Sequence, residues 1–168
     1  MKLHYNNEAF ASNRYRKIRA VANALGVNLE EIAHDSTADL SSISPFNTLP
    51  LLQTAQGTFF SSNTIIRYLA TTQGKLYGGQ NNHHQSLVDQ WLDVTVCDLE
   101  AAVAAVALAT EGKTPIDGAK VAEDINKFLA GLEGQVTGKK FIVGDGLTIA
   151  DISVATALSV VFAHVLGE

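Results

Sequence analysis

The sequence is poor in cysteine and in positive charge, and each shortage excludes a class of protein. Cys97 is the only cysteine among 168 residues, which excludes an internal disulfide framework and a cysteine-based zinc cluster and suits a reducing compartment. Lysine and arginine total 12 against 17 acidic residues, so the formal charge is −5 and no chain-wide positive field attracts nucleic acid. We therefore expect a cytoplasmic protein without direct nucleic-acid binding.

Signals for targeting and for membrane insertion are also missing. The N-terminus alternates polar and apolar residues and lacks the apolar core of a signal peptide. The segment 147–166 is long and apolar enough to raise the question of a membrane span. Asp151 and His164 interrupt it, however, and no cationic or aromatic anchors flank it. The pattern therefore predicts a buried helix, and we expect no membrane partner.

Apolar residues make up 46% of the chain and are spread evenly, which is enough for a real core. Residues 2–6 alternate and predict a first strand. Residues 12–25 carry apolar residues at spacings of three and four, and this predicts a helix that Gly26 ends. Residues 27–33 predict a second strand, parallel to the first because βαβ crossovers are right-handed.

The rest of the first half predicts a connection, a hairpin and a helix. Residues 34–47 are rich in serine and predict an irregular connection with one short helical turn. Residues 49–60 predict a hairpin with a glycine-containing turn. Ser62 is expected to cap a helix that stops near Gly74.

The second half is helical in pattern. Residues 73–83 follow no period and predict a linker between a first subdomain, 1–72, and an all-helical one, 84–168. The final helix opens at Thr148, whose side chain can accept the Asp151 backbone N–H while the Asp151 carboxylate accepts the Thr148 N–H. The helices predicted before it cover 85–110 and 117–136.

Four motifs in this order resemble the glutathione S-transferase fold family. The stretch 47–52 is similar to the family loop that places a cis proline, here Pro50, before the third strand. The stretch 141–152 is similar to the family's buried-helix capping box and is the most specific of the four. The other two are the helix opening at 60–69 and the Gln90-Trp91-Leu92 sequence.

The resemblance implies an α/β protein with a thioredoxin-like N-terminal βαβ-ββα subdomain and an all-helical C-terminal subdomain. The Gln90-Trp91-Leu92 sequence is similar to the family's translation members, the gamma subunit of elongation factor 1 and domains associated with aminoacyl-tRNA synthetases. These members mainly mediate assembly, so we expect a scaffold domain whose partners are other elongation factor 1 subunits or aminoacyl-tRNA synthetases. The resemblance also allows a homodimer. The family usually continues with further helices beyond the position of Glu168, so we expect a longer protein.

The alternative that the resemblance implies is an active glutathione transferase, which conjugates glutathione to electrophiles. Such an enzyme uses a hydroxyl to lower the thiol pKa of glutathione, because the thiolate is the nucleophile. Tyr5 and Ser12 are the two candidate catalytic hydroxyls by position. An aromatic residue at a strand end also packs in a core and a serine before a helix also caps it, so both interpretations stay open for each residue.

The resemblance also implies a glutathione-type binding site at Leu49, Pro50, Ser61 and Ser62. The backbone of Leu49 would pair with the peptide, and Ser62 at a helix N-terminus would hold the γ-glutamyl carboxylate. The family has an acidic residue where this chain has Ser61, so the ammonium group of the ligand loses its partner. We therefore expect glutathione as at most a weak ligand or substrate, and no required cofactor.

Three other features are expected to be structural. His83 and His84 lie in the predicted linker without a third ligand, so no metal site is expected. Cys97 is expected to be a small buried hydrophobe. The first helix carries a basic cluster that is expected to face solvent, formed by Arg14, Arg16, Lys17 and Arg19.

Overall fold

The computed structural model describes residues 1–6, 12–110, 112, 115 and 117–164. The chain divides into two compact units, Met1–Lys75 and Leu76–Glu168. Both ends of the predicted linker 73–83 are helical, because one helix continues to Gln73 and the next begins at Asn82.

The first unit contains a four-stranded mixed sheet in the order β2-β1-β3-β4. The β1 and β2 strands pair in parallel, whereas β3 runs antiparallel to both β1 and β4. This confirms the predicted parallel βαβ unit and the predicted hairpin. The strands are β1 Lys2–Tyr5, β2 Glu30–Ala33, β3 Leu51–Thr54 and β4 Gly57–Phe60.

Two helices, α1 Ser12–Leu25 and α2 Ser62–Gln73, pack against each other in this unit. The bounds of α1 agree with the prediction, and Gly26 at φ 70° ends the helix in the left-handed region. The connection 34–47 is irregular, as predicted, and it contains one short helical turn, in which the Leu40 carbonyl oxygen accepts the Ser44 N–H at 2.8 Å. The predicted apolar stripe of α1 is buried: Tyr15, Ile18, Val21, Ala22 and Leu25.

The second unit is helical, but the predicted helix 85–110 is not one regular helix. It begins earlier, at Asn82, and a π-helical segment, Thr95–Glu100, interrupts it. At the start of this segment the Trp91 carbonyl oxygen accepts both the Thr95 backbone N–H and the Thr95 hydroxyl, the latter at 2.5 Å. The helices of this unit are α3 Asn82–Val94, α4 Ala101–Thr110, α5 Gly118–Val136 and α6 Ile149–His164.

One of the two bonds of the predicted capping box at the start of α6 is confirmed, and the other has a different donor. One Asp151 carboxylate oxygen accepts the Thr148 backbone N–H at 2.8 Å and the Thr148 hydroxyl at 2.9 Å. The Thr148 hydroxyl oxygen accepts the Ala150 N–H at 3.3 Å, where the sequence predicted the N–H of Asp151. The second Asp151 oxygen accepts the Ile142 N–H at 2.8 Å, so this side chain also fixes the preceding loop.

The two adjacent histidines lie in the first turn of α3 and not in a linker. Asn81 caps this helix, since its side-chain oxygen accepts the His84 N–H at 3.0 Å. The His84 side chain packs against two glycines: a Cβ on Gly78 or Gly144 would lie 3.0 Å from it. Within the described ranges, no three His, Cys, Asp or Glu side chains are placed to hold a metal ion. No helix in those ranges combines the length and hydropathy that a membrane crossing requires.

Candidate functional site: the edge of the sheet at Pro50

The predicted binding residues lie together at one end of the strands of the sheet, where β1 and β4 end and β3 begins. The Leu49–Pro50 peptide bond is cis, as predicted, and Pro50 is buried. Leu51 pairs with His4 on one side and with Phe60 on the other. The next positions along these three strands are Tyr5, Pro50 and Ser61, so the register brings these residues to the same edge.

Ser61, and not Ser62, occupies the cap position of α2. Its backbone has φ 67° and ψ 122°, a conformation that residues other than glycine rarely adopt. Its carbonyl oxygen accepts the Ile65 N–H at 3.0 Å, but its side chain makes no cap hydrogen bond. Ser62 is the first residue inside the helix and is only 4% exposed. The predicted N-cap role of Ser62 is therefore wrong, because the chain turns into the helix one residue earlier.

Leu49 lines a cleft of about 220 Å³ in the first unit. Asn47 shapes its rim, since it lies at φ 51° and its side-chain oxygen accepts the Leu40 N–H at 2.6 Å. Asn6 and Arg14 line the cleft as well. Among the described residues, Pro50, Ser61, Ser62 and Tyr5 are not part of this lining.

The first candidate hydroxyl, that of Tyr5, belongs to a stacked aromatic pair. The Tyr5 ring lies 4.0 Å from the Tyr15 ring, with an interplanar angle of 9°. The Tyr15 hydroxyl donates to the Glu31 carboxylate at 2.6 Å. Burial, together with this carboxylate, raises the pKa of Tyr15 to about 12. The packing interpretation of the Tyr5 ring therefore has support, and its catalytic role stays a prediction.

The second candidate, Ser12, is the first residue of α1. Its side chain lies outside the described part of the structure, so the catalytic role predicted for its hydroxyl stays a prediction as well.

The sequence analysis missed a buried polar contact beside Ser62. Lys17, which was expected on a solvated face, is 0% exposed, and its Nζ donates to the Asn63 side-chain oxygen at 2.8 Å. Asn63 is the second residue of α2 and is 7% exposed. The position of Lys17 next to Ile18 of the apolar stripe is the one indication of its burial in the sequence. Its partner, Asn63, lies 46 residues away.

The edge is suited to an anion more than to an ammonium group. The N-terminus of a helix favours negative charge, and α2 has no acidic residue in its first turn. The role of Ser62 in holding a carboxylate and the missing ammonium partner at Ser61 stay predictions of the family resemblance.

The second unit contains a separate groove of about 760 Å³ between the α3–α4 helical stretch and α5. Trp91 and Phe128 form its aromatic wall, with their rings edge to face at 6.3 Å. Cys97 lines the groove and is exposed, so the prediction of a buried thiol is wrong. The π-helical segment, which no local sequence signal indicated, carries Cys97.

Comparison with known proteins agrees with this architecture. Residues 8–78 match the family model of the glutathione S-transferase N-terminal domain, and residues 96–167 match that of the C-terminal domain. The chain belongs to the glutathione S-transferase-like family. This confirms the fold expected from the four motifs, a thioredoxin-like subdomain followed by a helical one.

The similar curated proteins are elongation factors. The chain is 35% identical over 118 residues to elongation factor 1-gamma of Trypanosoma cruzi, an alignment that covers 68% of this chain and 28% of that protein. It is 26% identical over 162 residues to the probable elongation factor 1-gamma 2 of Arabidopsis thaliana, covering 90% of this chain and 39% of that protein. The chain thus spans well under half the length of these relatives.

Solved transferases share the fold. A delta-class glutathione transferase of Nilaparvata lugens superposes with a TM-score of 0.84 at 24% identity, covering 96% of this chain and 78% of that one. A glutathione transferase homolog of Drosophila mojavensis, solved with bound glutathione, gives a TM-score of 0.84 at 22% identity, covering 99% and 80%. At this level of identity the likeness concerns the fold alone.

Proposed function

We propose that this chain is a protein-interaction domain of the elongation factor 1 gamma type, which helps to assemble elongation-factor or aminoacyl-tRNA synthetase complexes. The observation that carries the proposal is the sequence similarity to elongation factor 1-gamma proteins, which covers most of this chain. Because the chain spans only part of those proteins, its partners are part of the proposal. A cytoplasmic location and a homodimer are further predictions from the resemblance.

The Ser61 position supports an assembly role over catalysis. Loss of one charge-assisted hydrogen bond to a ligand ammonium costs roughly 1.5 to 3 kcal/mol, which is about tenfold or more in affinity. Glutathione affinity is therefore expected to be low.

Exposed aromatic rings in the first unit offer a surface for a protein partner. Phe46 is 66% exposed and Phe60 is 41% exposed, and the two rings lie edge to face at 5.2 Å. Large aromatic side chains are enriched at protein interfaces, where their burial supplies much of the binding energy. This exposed pair is the candidate contact surface for a protein partner.

The test is affinity capture with the full chain, followed by mass spectrometry of the retained proteins. We expect elongation factor 1 subunits or aminoacyl-tRNA synthetases to be retained, and the double variant Phe46→Ala/Phe60→Ala to lose them. Leu147→Ala is the matched control, since Leu147 is 43% exposed and belongs to the second unit. Absence of both protein classes from the wild-type capture would refute the proposal.

The alternative is an active transferase that conjugates glutathione to electrophiles, and the cis Pro50 beside the Leu49 cleft favours it. Turnover of chlorodinitrobenzene, with micromolar glutathione affinity in titration calorimetry, would establish this activity and replace the scaffold as the main function. Tyr5→Phe and Ser12→Ala would then identify the catalytic hydroxyl. Ser61→Glu should strengthen glutathione binding about tenfold if the missing carboxylate weakens this site.

A further inference from the structure

Two histidines that the sequence analysis did not single out form a pair in the first unit. The Nδ1 atom of His4 lies 2.8 Å from the Nε2 atom of His34, and the rings stack with centroids 5.1 Å apart. His4 is only 7% exposed, while His34 is partly exposed. Since one ring nitrogen must donate and the other must accept, this contact holds one proton and requires the accepting ring to be neutral.

The pair joins the end of an edge strand to its neighbour. His34 follows β2, which lies at the edge of the sheet and is mostly exposed. Its backbone N–H donates to the Tyr5 carbonyl oxygen at 2.8 Å, one step beyond the last residue of β2. The parallel pairing with β1 and the Tyr15–Glu31 hydrogen bond also hold β2, and the histidine pair adds a side-chain contact just beyond the last residue of this strand.

The chain that leaves His34 leads to the candidate site. Residues 35–47 form the turns that carry the exposed Phe46, and Leu49 and Pro50 follow. In the sheet, His4 is paired with Leu51, the residue that follows Pro50. The ring contact therefore holds the His34 end of this connection, whereas the backbone pairing of Leu51 with His4 holds the other end.

We infer that His4 and His34 form an acid-released latch, in which a second proton separates the two rings and frees the connection 35–47 from the sheet. A second proton removes the accepting nitrogen and leaves two cations side by side, which repel each other. This inference goes beyond the proposed function, because it requires neither a partner protein nor glutathione.

The surroundings of His4 favour its neutral form. Burial lowers its pKa below the ordinary value, and His34 and Lys2 lower it further, while the Gln53 side chain and Glu30 act in the opposite direction. These groups belong to β1, β2, β3 and the segment after β2. The Nε2 atom of His4 is buried without a partner in hydrogen-bonding geometry among the described residues.

The direction of the pH effect follows from this lowered pKa. Below about pH 6.5, the ordinary value, the unfolded chain binds a proton at His4 that the folded chain still refuses. The stabilisation that neutral His4 contributes is therefore fully present above its ordinary pKa and decreases as the pH falls toward its lowered pKa. Below the lowered pKa this contribution is lost completely.

The test compares melting temperature and hydrogen exchange between about pH 8 and about pH 5. In the wild type we expect the melting temperature to fall by several degrees and residues 30–49 to exchange faster than intrinsic chemistry predicts. His34→Gln keeps a hydrogen-bonding side chain but takes up no proton, so it should weaken both responses, while the part that the burial of His4 causes remains. His83→Gln is the control, because exposed His83 lies in the second unit and should leave the response of residues 30–49 unchanged.

The inference fails if His34→Gln retains the wild-type pH response, or if exchange of residues 30–49 ignores pH. If His34→Gln does not fold, NMR titration of the wild-type ring protons decides the question. A His4 ring that takes up its proton below the ordinary pKa of a histidine, with a simultaneous change in the His34 ring signals, supports the latch. A His4 ring that titrates at the ordinary value without any change in the His34 signals overturns it.

Discussion

The Nζ of Lys17 and the side-chain oxygen of Asn63 lie 2.8 Å apart in a buried contact between α1 and α2. Lys17→Met should lower the free energy of unfolding by about 1 to 3 kcal/mol, because the Asn63 oxygen then loses a bond and stays buried. Urea denaturation gives this value. Arg16→Met on the exposed side of the same helix is the control and should change stability by less than about 0.5 kcal/mol. Equal effects of the two variants would contradict the assigned role.

Ser61 holds its cap position at a backbone cost. Ser61→Gly should raise the free energy of unfolding by about 1 kcal/mol, since glycine adopts φ 67° without steric penalty. Thermal unfolding followed by circular dichroism measures this change in stability. Ser42→Gly, at an exposed position without positive φ, should be neutral or slightly destabilising. A loss of stability in Ser61→Gly would show that the Ser61 side chain has a role of its own.

Asp151 joins the start of α6 to the loop that precedes it. Asp151→Ala should cost about 2 to 3 kcal/mol, more than a simple helix cap, because the backbone N–H of Ile142 loses its acceptor together with that of Thr148. Denaturant unfolding of the second unit measures this loss. Asp145→Ala, at an exposed position in the same loop, should have little effect. A cost below about 1 kcal/mol would contradict the double role.

Tyr15 should ionise well above the ordinary range of a tyrosine. Its pKa of about 12 exceeds the unfolded value of about 10. The stability that neutral Tyr15 contributes is therefore fully present below about pH 10 and is lost as the pH rises through about 12. Phenolate absorbance during alkaline titration measures this pKa. Glu31→Gln should lower it without restoring the ordinary value, because burial is the larger cause. Glu30→Gln is the control, since Glu30 pairs with Lys2 and not with Tyr15.

Elements with a local signal could be predicted from the sequence. The spacing of apolar residues determined both ends of α1, and the Thr148 and Asp151 pair marked the start of α6. Alternating residues and turn residues gave the β-α-β-β succession, and the family resemblance gave the cis bond before Pro50. In each case the relevant residues are close together in the chain or belong to a motif.

The parts that could not be predicted depend on partners far apart in the chain. Lys17 was expected in solvent because Asn63, the residue that satisfies its ammonium group, is 46 positions away. His4 and His34 are separated by 30 positions and show no common pattern. The π-helical segment depends on a hydrogen-bond shift that side-chain periodicity does not reveal, and for this reason the exposure of Cys97 was missed.

The groove of the second unit contains both the only tryptophan and the only cysteine of the chain, Trp91 and Cys97. Three of the four tyrosines, in contrast, belong to the first unit. Indole emission, or a dye on the single thiol, therefore follows the melting of the helical half by itself. Comparison with a tyrosine signal shows directly whether the two halves lose their structure in one step or in two.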